Sequence, residues 1–98
     1  MTMEIKKHTE ATVFEVTGSL ATTSAPALEK AIAEDIGDAK NLILDLKAVP
    51  YISSAGLRVL LGAQKKMQKI GSMKVVHVCE TVMEVLEITG FADILVIE

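Results

Sequence analysis

The chain has 98 residues, of which half are apolar and only 3% are aromatic. A chain of this length folds as one domain, whose single core must here be built from aliphatic side chains. The net charge is −3 without a dense basic cluster, which argues against nucleic-acid binding because that function needs a positively charged surface.

The amino-terminal residues and the one cysteine indicate the cellular compartment of the protein. Cys79 is the only thiol, so no internal disulfide can form, as is typical of a reducing compartment. Residues 1–10 are charged and contain no apolar signal segment, and no apolar run reaches the length of a membrane span. We therefore expect a cytoplasmic protein that makes no membrane contact. We also expect it to be a monomer when free.

The amino-terminal third predicts an edge hairpin followed by a helix. Residues 4–17 contain two strand-like pieces, which are separated near residues 8–10. Charged side chains on the first piece would discourage pairing with other chains, as on an edge strand. A first helix is predicted from Ser24, its N-cap, to Ile36, with Gly37 as its stop.

The apolar run Leu42–Leu46 predicts a central parallel strand that is covered on both faces, because it lacks polar alternation. Asp45, near the end of this strand, has two interpretations. Its carboxylate could accept backbone hydrogen bonds and so orient the loop at Ser53 and Ser54, or it could contribute to a partner surface. The structural role is the favoured one.

A second helix is predicted from Ser54 to Ile70, with Gly71 as its stop. Five residues share the helix face that should lie on the sheet: Gly56, Leu60, Ala63, Met67 and Ile70. Gly56 needs no functional explanation, because the missing side chain lets the start of the helix approach the strands closely.

A different side of this helix carries Ser54, Leu57, Arg58 and Leu61 at the spacing of a surface strip. Two interpretations stay open. The two leucines either border the serine on an exposed binding surface or are covered by the third helix.

The last third of the sequence predicts strand, helix and strand. Met73–Val78 is the strand, Thr81 and Glu84 form a capping box for the third helix, and Gly90 is its stop. Ile94–Ile97 is the last strand. The order ββαβαβαβ predicts a single α/β domain with a mainly parallel sheet of four to five strands, an antiparallel edge strand and three main helices.

Catalytic chemistry finds little support. Ser54 lies outside the Gly-x-Ser-x-Gly elbow of hydrolases, and neither His8 nor His77 belongs to a motif that could supply a base. Two histidines and Cys79 are too far apart in sequence for a convincing metal site. There is no Gly-rich phosphate loop, so we expect no enzyme activity, no catalytic residues, no metal and no cofactor, with any ATP bound by a partner.

Residues 45–57 read Asp-Leu-x-x-Val-x-x-Ile-Ser-Ser-Ala-Gly-Leu, preceded by Thr-Gly-x-Leu at residues 17–20. This pattern resembles the signature of STAS domains, in particular the bacterial anti-sigma factor antagonists, and the similarity covers nearly the whole chain, residues 1–98. The family loop is commonly Asp-Ser-Ser/Thr-Gly-Leu, and the serine after the aspartate is phosphorylated. Matched residue by residue, that serine is Ser54, while Ser53 and Ala21 stand where the family often has aspartates.

The resemblance implies a non-enzymatic module of partner switching in sigma factor regulation. Unphosphorylated, the domain would bind an anti-sigma factor serine kinase and free the sigma factor for transcription, and a phosphoserine phosphatase would restore this state. Together with the surface strip of the second helix, this predicts the partner-binding residues Ser53, Ser54, Leu57, Arg58 and Leu61, with Asp45 and Gly56 structural at the site. Ser53 is the better helix cap, which leaves Ser54 exposed. The alternative is a constitutive STAS subunit or scaffold of a transporter or sensory complex, without a phosphoswitch.

Overall fold

A computed structural model describes residues 2–8, 11–35 and 40–98. Its strands are β1 (Thr2–Lys7), β2 (Ala11–Thr17), β3 (Asn41–Ala48) and β4 (Ser72–Val76), and its helices are α1 (Ala25–Asp35), α2 (Ser54–Ile70) and α3 (Glu80–Ile88). A short 3₁₀ helix, Phe91–Asp93, follows α3. None of the helices in these ranges is both long enough and apolar enough to span a membrane.

The four strands form one mixed sheet in the order β1-β2-β3-β4. β1 pairs with β2 in the antiparallel direction, and β3 pairs in parallel with both β2 and β4. The predicted α/β class, the antiparallel edge hairpin and the central position of β3 are therefore confirmed.

The predicted last strand, Ile94–Ile97, is wrong. Only Ile97 pairs with the sheet, through a single parallel bridge to Val75. The backbone N–H groups of Ile94 and Leu95 donate instead to the carbonyl of Phe91. Since this turn uses the amides that a strand would offer to β4, regular pairing cannot begin until the last residues. β4 also ends at Val76, two residues earlier than predicted.

The sheet is covered on one face. Phe14, Leu44 and Val75 stand side by side on β2, β3 and β4, and each is fully buried in the cluster that the helices complete. Ile43 and Asp45 point to the other face and are only partly buried. The prediction that β3 is covered on both faces is therefore wrong. Ile43 is a β-branched residue, and such residues favour strand structure on either face of a sheet.

The uncovered face carries pairs of opposite charge. Lys6 lies 3.2 Å from Glu15 across the β1–β2 pair, and Lys74 lies 3.3 Å from Glu98. The hydrogen bond to Glu15 raises the pKa of Lys6. Such exposed pairs add little to stability, but they keep this face of the sheet polar.

α1 begins close to its predicted start, at Ala25. Ser24 lies just before the helix, but its hydroxyl accepts a hydrogen bond from the N–H of Ala21 and donates to the carbonyl of Ser19. The side chain therefore orders the loop that precedes α1. The predicted end of the helix, Ile36 with the stop at Gly37, lies outside the described residues.

The predicted capping box of α3 is wrong. The helix begins at Glu80, and its N-cap is Cys79, which makes no side-chain capping hydrogen bond. The Cys79 thiol instead lies 3.4 Å from the carbonyl oxygen of Val49. Thr81 is consequently inside the first turn, two residues past the cap position at Cys79. The helix ends as predicted, with Gly90 in the left-handed conformation at φ 82°.

Gln64 on α2 is a polar residue in an apolar environment. Its side chain is only 7% exposed, and its amide oxygen, Oε1, has no hydrogen-bond partner among the described residues. We expect Gln64→Met to raise the free energy of unfolding by about 1 kcal/mol, because an unpaired buried oxygen costs about that much or more. Urea unfolding of the two proteins measures the difference, and a destabilised variant would show that the amide is satisfied in solution.

Candidate functional site

The start of α2 lies just past the carboxyl end of the central strand, where open α/β sheets commonly place functional groups. The connecting loop is tied to the loop before α1 by a parallel bridge between Leu20 and Ile52. The N–H of Leu20 donates to the carbonyl of Tyr51, and the N–H of Ser53 donates to the carbonyl of Leu20, both at 2.9 Å. The backbone that leads into α2 is therefore fixed on both sides of Ile52.

Ser53 and Ser54 have different positions although they are adjacent. Ser53 is the N-cap in an extended conformation, and its hydroxyl oxygen accepts from the N–H of Gly56 at 3.4 Å. Ser54 is the first residue of α2, and its side chain is exposed. The predicted division, with one serine as the cap and the other accessible, is confirmed in geometry.

Gly56 lies where the start of α2 packs tightly against the two loops. A Cβ atom at this position would be 2.7 Å from the carbonyl oxygen of Leu20 and 2.7 Å from Cγ1 of Ile52. The predicted reason for the glycine, close approach by the start of α2, is confirmed, and the neighbours are the two bridged loop residues. Ser54 is held at its place on the surface by this contact.

The surface strip is narrower than the helical spacing suggests. Leu57 is only 6% exposed and belongs to the core, so the interpretation that places it on an exposed binding surface is wrong. Leu61 is partly buried, and Arg58 is exposed. The reason is that the apolar face of α2 is wide: Leu57 lies about 100° around the helix from Gly56, and this angle is still within the buried arc. Ile70, at the other end of the helix, is 48% exposed, so the prediction that it lies on the sheet face is wrong.

In the part of the chain that the structure describes, Asp45 makes no hydrogen bond or ion pair with the serine loop. Its Oδ1 accepts a hydrogen bond from the N–H of Lys47 at 3.0 Å and lies 3.2 Å from Nδ1 of His77. The favoured interpretation of Asp45 is therefore corrected: it joins the ends of β3 and β4 on the uncovered face. His77 has φ 57°, so it is a turn residue and not, as expected, an ordinary strand residue.

Tyr51 is a surface residue that sequence reasoning did not select. It lies in the loop before Ser53 and is 50% exposed, and it is the only tyrosine in the chain. The sequence feature that could have indicated it is an aromatic residue after a proline, just before a helix cap.

Over the described ranges, no three His, Cys, Asp or Glu side chains come close enough together to hold a metal ion.

Comparison with known proteins gives a consistent result. The family model described as the STAS domain matches residues 2–98. The anti-sigma-B factor antagonist of Bacillus subtilis is 29% identical over 94 residues, which cover 95% of this chain and 86% of that protein. The crystal structure of an anti-sigma factor antagonist from Mycobacterium paratuberculosis superposes with a TM-score of 0.88 at 29% identity, covering 98% of this chain and 83% of that one.

A more distant likeness concerns the Bacillus cell fate determinant SpoIIAA, whose structure is known in two forms. The unphosphorylated form superposes with a TM-score of 0.76 and the phosphorylated form with 0.71, both at 16% identity. The matches cover 99% of this chain and 88% and 91% of those chains. At this identity the likeness concerns the fold alone.

Proposed function

This chain belongs to the STAS domain family, and from that premise we propose that it is an anti-sigma factor antagonist whose binding surface is switched by phosphorylation of Ser54. The observation that carries the proposal is the exposed hydroxyl of Ser54 in the first turn of α2, beside a Ser53 that is already used as the cap. Relatives named as anti-sigma factor antagonists support the role.

In the proposed cycle the unphosphorylated domain binds an anti-sigma factor kinase, which then releases its sigma factor. The kinase, not this chain, binds ATP. The Ser54 oxygen takes the γ-phosphoryl group, ADP leaves, and the hydroxyl proton passes to a base of the kinase. A phosphatase later hydrolyses the phosphoserine with water and releases inorganic phosphate. Each of these steps belongs to the cytoplasm.

The partner surface in this proposal is centred on Ser54. Arg58 is the neighbouring charged residue on α2, and Leu61 supplies a partly buried apolar edge. Tyr51 adds an exposed aromatic ring at the loop end, a residue type enriched among the side chains that dominate binding energy.

The first test locates the phosphate. Incubation with the cognate kinase and ATP is expected to modify Ser54 and to leave Ser53 unmodified, because the Ser53 hydroxyl is engaged at the helix start. Phosphopeptide mapping by mass spectrometry measures this, with Ser54→Ala and Ser53→Ala as matched controls. Modification of Ser53, or of neither serine, contradicts the proposal.

A pull-down from cells identifies the partner independently of the chemistry. Recovery of an anti-sigma factor kinase agrees with the proposed role. Recovery of a transporter or sensory complex, together with an unmodified Ser54, would instead support a constitutive subunit and contradict the switch.

A further inference from the structure

Arg58 stands one helical turn after Ser54 and is exposed. Residues at i and i+4 of a helix are neighbours on its surface, with Cβ atoms about 5–6 Å apart. In the part of the chain that the structure describes, Arg58 makes no salt bridge and no side-chain hydrogen bond. Its guanidinium group is therefore available to a new acceptor at position 54.

The charges around Arg58 are few. The first turn of α2 contains no acidic residue. Arg58 lines a surface hollow of about 310 Å³ between the starts of α1 and α2, and Glu29 is the acidic residue in that lining. Glu29 lies beyond salt-bridge distance of Arg58, so the arginine is not already neutralised. The next basic residue along α2 is Lys65, about 10 Å further along the helix axis.

We propose, on the premise that Ser54 is phosphorylated, that Arg58 binds the phosphate within the same helix and is thereby withdrawn from the partner surface. A phosphate carries about −1.5 to −2 charges at neutral pH, and a guanidinium group matches its oxygens with two parallel hydrogen bonds. The combined charge at positions 54 and 58 then changes from +1 to between about −0.5 and −1. Phosphorylation removes a cation from the surface in the same step that adds an anion.

This mechanism specifies the chemistry of the partner. A carboxylate of the partner pairs with Arg58 when Ser54 is unmodified. After phosphorylation the same carboxylate loses its cation and faces a dianion. The reversal of charge weakens binding without requiring any movement of the backbone, and it predicts an acidic patch on the partner opposite Arg58.

The test uses phosphoserine placed at position 54 during translation, so it does not depend on any kinase. Phosphorus NMR follows the pH titration of the phosphate in the otherwise unchanged protein and in three variants. Arg58→Gln is expected to move the titration midpoint to higher pH, because the cation that favours the dianion is lost. Arg58→Lys should restore part of the effect, since lysine keeps the charge but not the planar fork.

Lys65→Gln is the matched control, because it removes one positive charge from the same side of α2 at a greater distance. Lys65→Gln should leave the titration midpoint of the phosphate unchanged. Phosphorylation should also raise Tm by about 2 °C, a gain that Arg58→Gln abolishes and Lys65→Gln keeps. Equal midpoints in Arg58→Gln and Lys65→Gln would overturn the inference.

Partner binding separates this inference from the proposed function. In the unphosphorylated protein, Arg58→Gln is expected to weaken binding of the kinase about five- to tenfold with no change in Tm. Unchanged affinity would overturn the role of Arg58 at the partner surface. If the kinase never modifies Ser54, the proposed function fails, whereas the titration still reports whether Arg58 binds a phosphate there.

Discussion

Replacing Gly56 with alanine is expected to destabilise the domain by about 3 kcal/mol, which is the upper range for adding one methyl group to a packed site. The new Cβ would meet the backbone oxygen of Leu20 at 2.7 Å. A side-chain tip can rotate away, but this oxygen accepts the hydrogen bond of the Ser53 N–H and cannot move without breaking it. The start of α2 must shift, and Ser54 shifts with it.

Gly62→Ala provides the matched control in the same helix. Apart from the neighbouring backbone of α2 itself, a Cβ at Gly62 would meet no atom of the described residues within 4 Å, so the helix propensity of alanine should stabilise the protein by about 0.5–1 kcal/mol. Thermal and urea unfolding of both variants measure the two effects. Gly56→Ala with the stability of the parent protein would show that the contact between α2 and the two loops is loose.

Phosphorylation of Ser54 is expected to lower partner affinity at least tenfold while the fold stays as it is. A phosphate in the first turn of a helix lies near free backbone N–H groups and the positive end of the helix dipole, which favour an anion. In a close interface the same dianion must be desolvated, and it repels an acidic partner group. Loss of one well-placed contact costs ~1–3 kcal/mol, and about 1.4 kcal/mol corresponds to a factor of ten.

Two substitutions of Ser54 test this effect of phosphorylation on partner affinity. Ser54→Asp should reproduce only part of the loss, because it has one charge and a shorter reach, whereas Ser54→Ala should bind the partner and escape regulation. Calorimetric titration gives the affinities, and amide chemical shifts of the two phosphorylation states report on the fold. Shift changes that extend through the sheet, or equal affinity in both states, would contradict a switch confined to the surface.

The sequence was sufficient for the features that depend on local chemistry and periodicity. Helix α2 has the predicted bounds because Ser53 is a strong cap and Gly71 a strong stop. Gly56 was assigned correctly because a glycine on the buried face of a helix has a steric explanation. The exposure of Ser54 follows from the fact that a single cap position needs only one of two adjacent serines.

The errors at Ile43, Leu57 and Asp45 concern what lies beside an element, whereas those at the last strand and at the start of α3 concern the element itself. Ile43 looks buried in sequence, but none of the described helices packs on its side of the sheet. Leu57 has the spacing of a surface strip, but the core extends around α2 far enough to include it. Asp45 was assigned to the serine loop from its position in sequence, whereas the left-handed turn at His77 brings the imidazole to the carboxylate. Such outcomes depend on the packing of separate segments, which periodicity does not record.

Leu20 contacts the chain on both sides of Ile52, and this arrangement affects the speed of recognition. A loop that is free before binding loses ~1–2 kcal/mol of conformational entropy for each residue that docking orders. Here the N–H and carbonyl of Leu20 already fix the segment before Ser54, so an arriving protein meets a preformed surface and little entropy is lost on association. For the proposed complex we expect encounter at the ordinary rate for rigid docking, about 10⁵–10⁷ M⁻¹ s⁻¹, so that its lifetime depends on the contacts made by Tyr51, Ser54, Arg58 and Leu61.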